Sequence, residues 1–254
     1  MERWRLKPIR LFSSDLDGTL AGDRQGSEAF ARFWADLPAE RRPLLVYNSG
    51  RLIEDILAFT AEEGLPEADF VIGGVGTMLH SAAEPEIGTH YARALGHGFD
   101  VDLIEADLLG MQQISRQPAQ YQHALKSSWY LHNAKAEDIM GLEQRLRRAG
   151  HPVRIVYSSN RDLDVIPDLA DKGRALAWLC QRLGVGLDEV VVAGDTGNDL
   201  AMFTLDGVRG ILPGNALAEL SSLAQVNTRI VQTDGHSAHG VLTGLMQFGI
   251  GGYD

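Results

Sequence analysis

The chain has 254 residues, 44% of them hydrophobic and 22% charged, with a formal net charge of −11 at pH 7. That is globular composition, with apolar mass for one large core or two smaller ones. No Lys/Arg run or basic stripe is present, which argues against a nucleic-acid partner, and no run of about 18 apolar residues is available to span a membrane. An anion meeting so acidic a surface needs local positive charge from a metal, a lysine or a helix N-terminus.

The start of the chain is short and basic and runs into Ile9-Arg10-Leu11-Phe12 without the apolar central region of a signal peptide. The expectation is a soluble cytoplasmic protein. The first strand then delivers Asp15-Leu16-Asp17-Gly18. Two carboxylates at alternate positions share one side of a strand, and the turn at Gly18 lets the second swing over the first. A carboxylate nucleophile can form an acyl phosphate, and a second carboxylate can protonate the leaving alcohol and then activate water. A lone Asp-x-Asp after a strand is as readily a polar turn.

Leu44–Tyr47 reads as a buried strand and Leu52–Phe59 as a helix. Between them, Asn48-Ser49-Gly50-Arg51 sets a hydroxyl and backbone N–H groups at a helix start, where they can hold phosphate oxygens or serve as a plain cap. Phe70–Ile72 is another short strand. From about Ala83 to Pro167 the alternation loosens. Ala124–Leu131 and Val153–Tyr157 read as strands around a helix over Ala136–Ala149 that Gly150 ends. This suggests a small α+β unit inserted into a larger parallel α/β sheet. The boundaries drawn are 1–83 plus 167–254 for the core and 84–166 for the insertion.

Lys172 opens a helix that runs to Leu183, where it can neutralise a phosphoryl group or lie in solvent. The single cysteine, Cys180, lies on its apolar side and reads as a buried thiol. Glu189–Ala193 is a strand that runs into Gly194-Asp195-Thr196-Gly197-Asn198-Asp199, followed by a helix over Leu200–Phe203. Asp195 and Asp199 offer hard oxygen ligands suited to Mg²⁺. His236 and His239 read as a loop and helix start, and Trp129 and Trp178 as packing residues.

Four pieces in this order resemble the motifs of the haloacid dehalogenase superfamily, and the chain is identified as a member by Asp15-Leu16-Asp17-Gly18, Ser49-Gly50, Lys172 and Gly194–Asp199. The resemblance implies a Rossmann-like parallel core with an α+β cap domain inserted between the second and third motifs. It implies Asp15 as nucleophile and Asp17 as general acid/base. Ser49, Gly50, Lys172 and Asn198 would hold phosphate. Mg²⁺ would be held by Asp15, the carbonyl of Asp17, Asp195 and Asp199, with Asp195 the more direct ligand of the acidic pair.

Within the superfamily, Gly74–His80, Lys126–His132 and Ile155–Asp164 resemble the sucrose-phosphatase branch. The branch implies a sugar phosphate substrate, with mannosylfructose 6-phosphate placed ahead of sucrose 6-phosphate, and pairing with a glycosyltransferase synthase as the partner. Lys126, and Asn160, Arg161 and Asp164 in a loop between two cap strands, become candidate sugar contacts. Two departures from the branch are Ser49 where a threonine is usual and His236-Ser237-Ala238-His239-Gly240 near the end. A phosphomutase shares the nucleophile and metal site and stays as the alternative reaction.

Overall fold

Every residue of the first strand, β1 (Leu11–Ser14), is buried, as a strand must be when helices cover both faces of its sheet. Its side chains alternate between two apolar clusters, Leu11 in one and Phe12 in the other. The computed structural model describes residues 7–251. The basic start of the chain falls on residues 1–6, outside the described residues. After β1 come α1 (Arg24–Asp36), β2 (Leu44–Asn48), α2 (Ile53–Glu62), β3 (Phe70–Gly73), β4 (Met78–His80) and α3 (Ile87–Ala94). Next are α4 (Val101–Leu109), β5 (Ser115–Arg116), β6 (Ser127–Tyr130), α5 (Ala136–Arg148), β7 (Val153–Ser158) and β8 (Asp162–Pro167). The chain closes with α6 (Lys172–Leu183), β9 (Val190–Ala193), α7 (Leu200–Phe203), β10 (Arg209–Leu212), α8 (Ala218–Val226), β11 (Ile230–Gln232) and α9 (Ser237–Gln247).

The larger sheet has the order β11-β10-β9-β1-β2-β3-β4 and is parallel except for β4. The register decides where the site forms. Ser14 pairs with Tyr47 on one side and with Ala193 on the other. Three central strands therefore end level, and the residues that follow them emerge together at one edge, where open α/β sheets bind ligands.

The second sheet, β5-β6-β8-β7, is antiparallel. Trp129, Val153, Leu163 and Val165 project from one face onto Ile104 and Leu108 of α4 and Leu142 and Leu146 of α5. Ser128, Arg154 and Asp164 alternate with them and take the other face. The helix expected over Ala136–Ala149 is α5, and Gly150 follows it in a left-handed conformation at φ 98°. Asp164, read from sequence as part of a loop, lies inside β8 instead, because the hairpin turn is confined to Ser159, Asn160 and Arg161. α3 falls within the segment 84–166 drawn as the insertion, yet Ile87 and Tyr91 bury themselves in the cluster of the large sheet.

Trp129 is the largest side chain in the second sheet's core, and its indole N–H donates to Ser127 Oγ at 2.8 Å. Trp129→Ala should lower stability by about 3–5 kcal/mol, read as a shift of the denaturant midpoint; a change under about 1 kcal/mol would contradict this packing.

Candidate active site

Asp15 is the first residue beyond β1, and its N–H donates to Ala193 O at 3.0 Å, so the ladder to β9 holds it in place. The chain then folds on itself: the N–H groups of Thr19, Leu20 and Ala21 all donate to Leu16 O. Gly18 makes this turn at φ +75°, and a Cβ there would lie 2.2 Å from Asp195 Oδ2. A glycine is needed for both the conformation and the approach. Thr19 Oγ1 donates to Asp195 Oδ1 at 3.2 Å. Asn215, which follows the carboxyl end of β10, donates to Gly18 O at 2.8 Å and to Asp195 Oδ2 at 3.4 Å. The sequence reading does not find Asn215; its position just past a fourth parallel strand is the signal that could have found it.

Lys172, the first residue of α6, is fully buried, and its ammonium donates to Asp15 Oδ1 at 2.8 Å and to Asp199 Oδ1 at 2.6 Å. The other oxygen of Asp199 accepts from the N–H groups of Asp195 and Thr196 at 3.0 and 3.1 Å. Both Asp199 oxygens are thus engaged in holding the lysine and the loop. Asp195 instead accepts from two neutral side-chain donors, Thr19 and Asn215.

One ammonium does not balance three buried carboxylates. Burial, and then the charge of Asp199, push the Asp15 carboxyl well above its usual range. The same two causes raise Asp195 to about 7. Burial opposes the charge on Lys172, but Asp15 and Asp199 outweigh it and hold its pKa above the usual value. Carboxylate oxygens of Asp15, Asp195 and Asp199 lie within 4.8 Å of one another. An all-oxygen donor set with excess negative charge fits a hard divalent cation such as Mg²⁺.

Ser49 is buried, and its Oγ accepts from the N–H of Arg51 at 3.3 Å. Gly50 faces the side-chain amide of Asn198, whose Nδ2 would lie 3.8 Å from a Cβ at Gly50. The sheet register thus brings Ser49, Gly50, Asn198, Lys172 and the three aspartates to one edge. Asp17 does not join them. Its carboxylate accepts two hydrogen bonds from Arg51, both 2.8 Å, and is mostly exposed. Arg51 also donates to Asp55 at 3.0 Å and lies 3.9 Å from the centroid of the Phe59 ring. The swing of the second carboxylate over the first, expected from the turn, is absent because Arg51 offers a bidentate partner.

On the second sheet the candidate residues are tied to each other. Lys126 is buried and donates to Tyr121 O at 3.2 Å and Ser128 Oγ at 2.6 Å, with Asp164 Oδ1 at 3.0 Å. The ammonium thus makes two hydrogen bonds and an ion pair, so Lys126 braces Asp164. Asn160 donates to Asn133 Oδ1 at 2.8 Å, and Arg161 pairs with its neighbour Asp162 at 3.1 Å. Neither is brought to the acidic cluster.

The sequence profile of the family described as sucrose-6F-phosphate phosphohydrolase matches residues 8–249. The chain belongs to the sucrose-phosphatase family. It is 51% identical over 245 residues to the mannosylfructose-phosphate phosphatase of Agrobacterium fabrum, covering 96% of this chain and 99% of that one. It is 30% identical to sucrose-phosphatase 1 of Nicotiana tabacum, spanning 94% of this chain and 59% of the longer plant enzyme. Among solved structures, the sucrose-phosphatase of Synechocystis sp. PCC6803 in complex with sucrose and phosphate superposes with a TM-score of 0.85 at 27% identity, covering 96% of this chain and 98% of that one. The haloacid dehalogenase-like protein yhjK of Bacillus subtilis, at 17% identity and TM-score 0.66 over 98% of this chain and 94% of its own, shares the fold. The family's named members are phosphatases of sugar phosphates. No helix among the described residues is long and apolar enough to cross a membrane.

The raised carboxyls set a pH dependence. Asp15 and Asp195 bind protons more tightly folded than unfolded, so their contribution favours the fold at low pH and is lost as pH rises through about 7. In chelator, the thermal midpoint should fall as pH rises from about 4, the ordinary carboxyl range, to about 7. Mg²⁺ at a hundred times its dissociation constant should add about 2.7 kcal/mol at the upper end. A flat or rising midpoint in chelator would contradict the repulsion described here.

Proposed function

We propose that this chain hydrolyses mannosylfructose 6-phosphate to mannosylfructose and phosphate through an aspartyl-phosphate on Asp15. The observation that carries the reading is the buried carboxylate of Asp15 held by Lys172 beside Asp195, in a chain half identical to an enzyme of that name. Asp15 attacks phosphorus, and the bond from phosphorus to the sugar oxygen breaks. Asp17 gives that oxygen its proton, so the sugar leaves as an alcohol. Asp17 then takes a proton from water, whose oxygen attacks the phosphoryl group and frees both Asp15 and phosphate. For this, Asp17 exchanges Arg51 for the substrate. Lys172, Ser49, Gly50 and Asn198 receive the phosphoryl oxygens.

Asp15, Asp195 and the carbonyl of Asp17 would hold Mg²⁺, with Asp199 fixing Lys172 and the loop around them. When bound, the ion offsets repulsion between the nucleophile and the phosphate dianion. The segment 84–166 serves as the cap, with the open face of its sheet turned to the sugar and Asp164 offering an acceptor. The pocket that receives the ester must admit water for the second step, which separates this reading from a phosphomutase.

Sucrose 6-phosphate is the second reading, favoured by the structural likeness to an enzyme with sucrose bound. Both esters present the same phosphorylated fructose, so discrimination falls to hydroxyls of the other hexose. Each mismatched buried hydrogen bond costs roughly 1–3 kcal/mol, or about five- to a hundred-and-fiftyfold in relative efficiency.

Asp15→Asn should remove nearly all phosphate release while the fold persists by circular dichroism, because an amide does not attack phosphorus. A loss of only a few-fold would end the aspartyl-phosphate reading. Asp17→Asn should slow the sugar ester far more than an aryl phosphate, whose leaving group departs without a proton. Chelator should abolish both activities and Mg²⁺ restore them.

A further inference from the structure

The loop that precedes β6 reaches from the second sheet to the first. Leu125 on this loop packs into the apolar cluster of the large sheet that also contains Val75. A methyl of Val75 in turn faces Gly50, 3.8 Å from where its Cβ would be. The loop is closed by a double backbone link between His123 and Lys126, at 3.0 and 2.9 Å. Glu54, in the first turn of α2 and just after the Ser49–Arg51 segment, is among the charges acting on His123. His123 therefore stands where the two sheets meet, on the side of the predicted phosphate-binding segment.

The polar side chains around it are already committed. Gln122 uses both amide N–H groups on Gln117 O and Ser128 O, and its oxygen accepts from Ser128 N. Lys126 is held by two hydrogen bonds and its ion pair with Asp164. The imidazole of His123 differs. Its Nδ1 accepts from the N–H of Leu125 at 3.2 Å, which leaves Nε2 carrying the proton of the neutral ring. Nε2 has no partner among the described residues. Burial holds the ring's pKa below its usual value against the pull of Glu54, which keeps it neutral and in this tautomer.

We propose that His123 is a specificity-determining residue of the cap, donating a hydrogen bond from Nε2 to a hydroxyl oxygen of the hexose remote from the phosphate. The proposal rests on the disaccharide phosphate reading of the substrate. A half-buried donor with a fixed direction favours a sugar hydroxyl at one position and is left unpaired by its epimer, which turns a single contact into discrimination.

The geometry supplies a clean variant. A bond from the N–H two residues ahead to a side-chain acceptor is the pattern an asparagine makes in an Asx-turn. His123→Asn therefore keeps the turn and its link to Leu125 but removes the donor that extends beyond it. The expected result is a fall of about tenfold in kcat/KM on mannosylfructose 6-phosphate, carried by KM, with p-nitrophenyl phosphate hydrolysis within twofold of wild type. The ratio of efficiencies on mannosylfructose 6-phosphate and sucrose 6-phosphate should move toward one. His123→Gln, whose longer amide reaches further, should recover part of the loss.

Unchanged kinetics on both disaccharide esters, or equal losses on the disaccharide and aryl esters, would overturn the assignment. So would Glu54→Gln reproducing the His123→Asn effect, since His123 would then be closing the cleft on Glu54 instead of reading the sugar. Wild-type protein that hydrolyses the aryl ester but neither disaccharide ester would overturn the substrate reading and this proposal together. A wild type active on the disaccharides with an indifferent His123→Asn would overturn this proposal alone.

Discussion

The ammonium of Lys172, buried between Asp15 and Asp199, is the contact on which the arrangement depends. A charge taken out of water is costly unless it is paired and hydrogen-bonded. Here both ends are met, since Lys172 reaches two carboxylates and Asp199 is further bound by two backbone N–H groups. The pairing joins three distant stretches of chain, the end of β1, the start of α6 and the loop after β9. It also leaves the site with more negative charge than the lysine cancels, which is why the acidic cluster suits a divalent cation.

The glycines around this contact are packing requirements. A Cβ at Gly76 would lie 2.3 Å from the carbonyl of Asp171, and Gly76 itself sits at φ +87°. That contact presses the loop after β3 against the residue that caps α6, whose side chain accepts from Arg174 N. Tyr91 fastens the same loop through a hydroxyl bond of 2.7 Å to Gly76 O. Lys172 is thus fixed from behind by backbone, where a long side chain alone would leave it several rotamers.

The second sheet obeys a different economy of contacts. Its helix-facing side is apolar and closed, and its other side carries a braced polar network in which Lys126, Ser128, Asp164 and Gln122 satisfy one another. Buried polar groups that are all partnered rigidify a surface. Against such a surface, a group with an unused donor stands out, and His123 is one.

The strands and helices of the large sheet could be read from local pattern alone. Strands such as Val190–Ala193 are continuous apolar runs because both faces are covered, and Lys172–Leu183 coincides with its helix because Asp171 and Gly184 mark its ends. The acidic and glycine-rich residues at strand ends were legible for the same reason: chemistry in such sheets gathers beyond the carboxyl ends, and the order of those ends along the chain is a local property. The remaining features depend on residues far apart in sequence. That Asp17 turns to Arg51 follows from a pairing across 34 positions. That Lys126 braces Asp164 follows from the register of β6 on β8, where Ser128 meets Asp164. The place of α3 against the large sheet, and of Asn215 beside Asp195, follows from packing that no local pattern records. Periodicity reports which face of an element is buried; which partner covers that face is set by the fold as a whole.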